Sequence, residues 1–163
     1  MNDPRVNLAR LAEYLEGLPA DYAHFEMADF ILEPKREELH RYALKNGGVQ
    51  SCGTAACAVG HGPAAGIYVP EKFLRETGVN WTLYTYEFFV PDDSGSNSSV
   101  VFNYLFGGNW TYVDNTHRGA AARIRYFLDH GVPAYHNDDD EDQEGFEHPT
   151  EDDVAVYAHL LVP

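Results

Sequence analysis

The chain has 163 residues, 44% hydrophobic and 13% aromatic, which suits one domain with its own core and excludes an intrinsically disordered chain. Twenty-six acids against 11 Lys and Arg give a formal net charge of −15, so nucleic acid phosphates and anionic membranes should repel it. Its two cysteines lie in one short segment, which excludes a disulfide framework and predicts free thiols in a cytoplasmic setting.

Asn7 to Leu18 reads as an amphipathic helix. Leu8, Leu11, Leu15 and Leu18 share a face, with Gly17 and Pro19 near the end. The opening residues carry no signal-peptide h-region. A second short helix is predicted over Tyr22 to Ile31, and a polar one over Lys35 to Lys45, opened by Pro34 and ended by Gly47-Gly48. Thr54 is a plausible N-cap for a small-residue run, Ala55 to Val59. A helix of Ala, Cys and Gly lets another backbone, or a ligand, approach closely.

Gly66 to Pro70 reads as an extended connection, and Glu71 to Glu76 as a helix stopped by Gly78. Trp81 to Val90 is rich in aromatic and β-branched residues, and its periodicity fits a strand or a buried helix equally. Pro91 to Ser99 is a polar loop, after which Ser98 or Ser99 caps a helix through Phe106. Trp110 to Val113 reads as extended. Asp114-Asn115-Thr116 opens the strongest helix, His117 to His130, closed by Gly131. Its core face is Ala121, Ile124, Phe127 and Leu128. An acidic loop covers 137–150, and Thr150 with Asp153 resembles a capping box for a last helix through Leu161. The count predicts a mainly α, single-domain fold over 1–163 with at most a minor sheet; α+β is the alternative.

Cys52 is the first candidate for chemistry. A thiolate at a helix N-terminus is stabilised by the dipole and free N–H groups. The placement is similar to that of papain-like cysteine peptidases, although Gln50 stands too close to Cys52 for their oxyanion glutamine. Cys57 is the alternative nucleophile. Such an enzyme needs a base and a group to orient it. Here those are His61, His24 or His117, with Asp114 or Asn115 behind. Two small cysteines packing a helix are the simpler expectation.

Cys52, Cys57 and His61 also make three soft zinc ligands, with no evident fourth. His61 otherwise suits the end of its own short helix, where a cation is favoured. In the acidic loop, Asp140, Asp142, Glu144, Gly145 and Glu151 fall on positions 1, 3, 5, 6 and 12 of a calcium loop. Glu at position 5, Glu147 at position 8, Pro149 and a non-helical entry depart from that pattern. A solvated acidic loop is the expectation, with calcium or zinc as possible ligands and no resident cofactor. Arg118, Arg123 and Arg125 are expected to meet acids rather than nucleic acid.

Two segments carry a resemblance: CGTAACAVGHGP at Cys52 to Pro63, and LFGGNWTYVDNTHRGAAARI at Leu105 to Ile124. They resemble a group of small uncharacterised proteins of bacteriophages, prophages and bacteria. Those have a Cys-Gly-Thr-x-x-Cys-x-x-Gly-His segment and an Asp-Asn-Thr-Pro helix start. His117 stands where that group has proline. The resemblance implies an accessory protein and no particular reaction. Ten acids and no Lys or Arg lie within 137–163, leaving sixteen acids against eleven bases elsewhere. The expectation is a non-enzymatic protein that binds a partner's basic face through this acidic surface, which could also imitate the charge of a nucleic acid. The alternatives are a cysteine-dependent hydrolase or transferase using Cys52, and a metal-binding protein.

Overall fold

Asp3 and Pro4 start the first helix. In the computed structural model, which describes residues 2–23, 25, 57–75, 78–92, 97–107, 110 and 114–132, α1 spans Pro4–Glu16. The Asp3 carboxylate accepts from the N–H of Arg5 at 2.9 Å and of Val6 at 3.4 Å. Proline in the first turn needs no N–H partner, so this pair begins the helix ahead of the expected Asn7. It ends at Glu16 with Gly17 as C-cap, two residues before the expected Leu18.

Three further helices follow among the described residues. α2 is Trp81–Phe89, α3 is Ser98–Phe106 and α4 is His117–His130. The fold is mainly α. The strands among the described residues are one short antiparallel pair, β1 (Leu74–Arg75) and β2 (Gly78–Val79), in register Leu74↔Val79. No helix among the described residues is long and apolar enough to cross a membrane.

The caps explain several boundaries. Asn80 accepts from Leu83 N at 3.2 Å, which makes the ambiguous Trp81 segment a helix. α3 is capped by Asn97, whose side chain accepts from Ser99 N at 2.9 Å, so Ser98 is already its first residue. α4 has its predicted limits, with Thr116 as N-cap and Gly131 at φ +80° beyond its end. Glu71 to Glu76 is not one helix. A single 3₁₀ turn, Glu71–Phe73, passes directly into β1, and Gly78 belongs to β2. Trp110 is helical rather than extended. Tyr22, Ala23 and Phe25 are not helical, so a helix starting at Tyr22 does not form. The remainder of that predicted helix, those at Lys35 to Lys45 and Thr150 to Leu161, and the acidic loop lie outside the described residues.

α1 packs most extensively on α4. Leu8, Leu11 and Leu15 meet a core that includes Ala120, Ala121, Ile124 and Phe127, all buried. Each such leucine contributes about 1.5–3 kcal/mol by leaving water, before the entropy of ordering it is counted. α2 and α3 join through rings: Tyr86 stacks on Phe102 at 5.1 Å, and Phe89 meets Phe106 at 5.9 Å. The start of α1 also holds the end of α2. Asn2 donates to Glu87 O at 2.7 Å and Asn7 to Phe88 O at 3.0 Å, satisfying carbonyls that a helix end leaves open. Arg123 is 2% exposed and lies over the Trp110 indole at 3.9 Å, so it belongs to the core rather than to a basic surface. Arg125 forms the expected ion pair, bidentate to Glu16 at 2.9 Å for both bonds.

Candidate functional site

The two buried histidines, His61 and His117, gather around two aromatic rings. Tyr22 and Phe25 follow the end of α1 and stand between His61 and His117. The centroid of His61 lies 5.7 Å from Tyr22 and 5.6 Å from Phe25; that of His117 lies 6.1 Å and 6.3 Å from the same two. Both imidazoles are buried. Tyr14 of α1 completes the His61 side at 6.1 Å.

His61 closes the 3₁₀ turn Val59–His61. Its Nδ1 lies 2.9 Å from Cys57 O, so the ring caps its own turn, as its position near a helix end suggested. Its Nε2 lies 3.2 Å from the Tyr22 hydroxyl. If Nδ1–H donates to the Cys57 carbonyl, Nε2 is the acceptor of the phenol. Cys57 is 2% exposed, and its residue is not helical. Cys52, the other half of the proposed thiol or zinc pair, and His24 lie outside the described residues. Both His61 nitrogens already face oxygen atoms. Among the described residues, no group of three or more His, Cys, Asp or Glu side chains is placed to hold a metal ion. Asp140, Asp142, Glu144 and Glu151, the calcium candidates, are not among those residues.

The small residues of this segment serve close packing. A Cβ on Gly62 would fall 2.7 Å from the Tyr84 hydroxyl and 3.0 Å from Phe89 Cζ, both on α2. Tyr84 is fully buried and donates to Ile67 O at 2.5 Å. Burial pushes its phenol well above the usual range. Side chains of α2 thus press on Gly62, whereas of the helical run expected over Ala55 to Val59, Cys57 and Ala58 are not helical and Val59 opens a 3₁₀ turn.

The Asp114-Asn115-Thr116 segment is a helix start of interlocking bonds. Thr116 Oγ1 accepts from Gly119 N at 3.0 Å. Asp114 Oδ1 accepts from Thr116 N at 3.1 Å and from Thr116 Oγ1 at 2.5 Å. A Cβ on Gly119 would lie 1.8 Å from Asp114 Oδ2, so the carboxylate occupies the space that the glycine leaves. Asp114 is thus bound to the cap of α4. Asn115 lies beside it, half-buried.

His117 takes the first position of α4 and turns its ring onto the end of α1. Nδ1 lies 2.8 Å from Leu15 O and Nε2 3.0 Å from Pro19 O. Sequence reasoning named His117 as a possible base, yet gave no sign of these partners, which are 102 and 98 residues away. No motif in the sequence points to Tyr22 as a neighbour of either histidine. Only its spacing from Pro19, in a turn closed by Tyr22 N to Pro19 O at 3.0 Å, offered a hint.

No family model, no curated protein and no solved structure matches the chain.

Proposed function

We propose that the chain is a non-enzymatic accessory protein of phage or bacterial origin that binds a protein partner with a basic face. The observation that carries this reading is where the charge resides. Among the described residues, Asp3, Glu13, Glu16, Asp21, Glu71, Glu87, Asp92, Asp114 and Asp129 stand against Arg5, Arg10, Lys72, Arg75, Arg118, Arg123 and Arg125, which is near balance. Residues 137–163 hold ten acids and no Lys or Arg. A concentrated acidic stretch on a nearly neutral helical body steers a basic partner and raises the association rate. The helix-capping bonds of Asp114, the carbonyl contacts of both buried histidines and the burial of Cys57 support the same reading, because these groups serve the fold.

The test replaces Asp138, Asp139, Asp140, Glu141 and Asp142 by their amides and measures association with the captured partner across a salt series. Association of the native chain should be faster and should slow steeply with salt, and the neutralised chain should lose both properties. A partner that binds both chains equally overturns the proposal. Rapid, selective alkylation of Cys52 in the folded protein at neutral pH would instead favour a cysteine-dependent hydrolase or transferase.

A further inference from the structure

The two nitrogens of His117 face two acceptors, Leu15 O at 2.8 Å and Pro19 O at 3.0 Å. A carbonyl oxygen only accepts. A neutral imidazole has one N–H and one lone pair, so either tautomer turns a lone pair onto a carbonyl oxygen. Only the imidazolium donates at both positions. We propose that His117 is doubly protonated in the folded chain and acts as a proton-dependent clasp between the start of α4 and the turn after α1.

The forces around the ring are opposed. Burial disfavours a charge, and the N-terminus of α4 disfavours a cation at its first position. Leu15 O belongs to the last turn of α1, where a cation is favoured. Charge-assisted hydrogen bonds are roughly twice as strong as neutral ones, and this ring makes two. Both acceptors are also fixed by the backbone: Leu18 N donates to Leu15 O and Tyr22 N to Pro19 O, so neither carbonyl turns away readily.

The titratable and charged groups nearby are identifiable. On α1, the Glu16 carboxylate is held by Arg125. On the following turn, Asp21 is exposed and Tyr22 stands nearly perpendicular to the imidazole. On α4 and its cap, Asp114 is engaged by Thr116, and Arg118 is exposed. His61 lies across the Tyr22 and Phe25 rings. Among the described residues, the polar partners of the ring are the two carbonyls, and no carboxylate pairs with it.

The sign follows from proton uptake on folding. The clasp needs a proton on both nitrogens, so losing either one turns a lone pair onto a carbonyl oxygen and weakens the joint as pH rises. Deprotonation then loosens the turn from Pro19 to Tyr22, whose hydroxyl is a partner of His61. The fold would therefore tighten on acidification at this one joint.

Ring nitrogen NMR on the uniformly labelled full chain tests the clasp. The eight histidines are assigned by through-bond correlation and His117 is confirmed by its loss in His117→Gln. Both ring nitrogens of His117 should show protonated shifts at neutral pH. Across its titration, the unfolding constant of the native chain should rise by up to about tenfold per pH unit, the limit for one proton, and less steeply in His117→Gln. A lone-pair shift at either His117 nitrogen at neutral pH overturns the proposal, as does an unchanged pH slope in the variant. Should His117→Gln not fold, the nitrogen shifts of the native chain decide alone.

Discussion

His61 and His117 are both buried and touch the same two rings, yet they hold the molecule in different ways. His61 reaches back four residues to Cys57 O and sideways to the Tyr22 hydroxyl. His117 joins two helices through carbonyls 102 and 98 residues distant in sequence. One imidazole finishes a turn, while the other decides where two helices meet. A buried histidine with nearby thiols and acids is therefore a poor indicator of catalysis until the direction of each nitrogen is known.

The comparison breaks most readily at the histidines themselves. His117→Ala should cost about 3 kcal/mol, from a cavity and two lost cross-helix bonds, and His61→Ala about 2 kcal/mol. Denaturant unfolding of both variants measures the difference. Equal costs, or a larger one at His61, would mean that the local turn matters as much as the helix joint.

The glycines beside each histidine sharpen it. Gly62→Ala pushes a methyl into a hydroxyl that is buried and bonded to Ile67 O, so little can yield, and about 2 kcal/mol should be lost. Gly119→Ala meets the free end of a half-buried carboxylate. Asp114 can swing away by giving up its bonds to Thr116, at about 1 kcal/mol. Thermal unfolding of the two variants gives the order, and a costlier Gly119→Ala would show that the α4 start is the more rigid region.

The smallest effect concerns the second link between α1 and α4. The hydrogen bond from Arg125 holds the Glu16 carboxyl below its usual range, with burial opposing and the guanidinium charge assisting. This stabilisation is present above the unfolded carboxyl's titration and is lost as pH falls through the folded one, opposite in sign to the His117 clasp. Both side chains are nearly half exposed, so Glu16→Gln should cost only about 0.5 kcal/mol and should flatten the acid limb of stability slightly. Urea midpoints taken as pH is lowered check the sign.

Much of the fold was legible where signals are local. α4 could be read from Asp114-Asn115-Thr116, the Ala121–Ile124–Phe127–Leu128 face and Gly131. Gly17 marked the end of α1 to within two residues of the expected Leu18. Weaker local signals are present too: Asp3 before α1, Asn80 before α2 and Asn97 before α3 are caps by residue type, and Pro4 suits a first helical position. The joint between α1 and α4 was not legible. Nothing in the spacing of His117 predicts two carbonyls about a hundred residues away, and nothing in the charge of Arg123 predicts its place over Trp110. Non-local contacts are set by the packing of whole helices, which short-range periodicity does not encode.

The two asparagines at the start of α1 carry a consequence for the order of assembly. Asn7 binds Phe88 O, 81 residues on, and Asn2 binds Glu87 O, 85 residues on. The other end of α1 waits for His117. During synthesis at roughly 5–20 residues per second, the leucine face of α1 emerges several seconds before either of its docking surfaces exists. Until then it is an isolated helix of 13 residues, too short to persist reliably in water. The last-made described helix thus completes the first-made one, and a nascent chain stalled before α4 would offer Leu8, Leu11 and Leu15 to whatever chaperone is nearest.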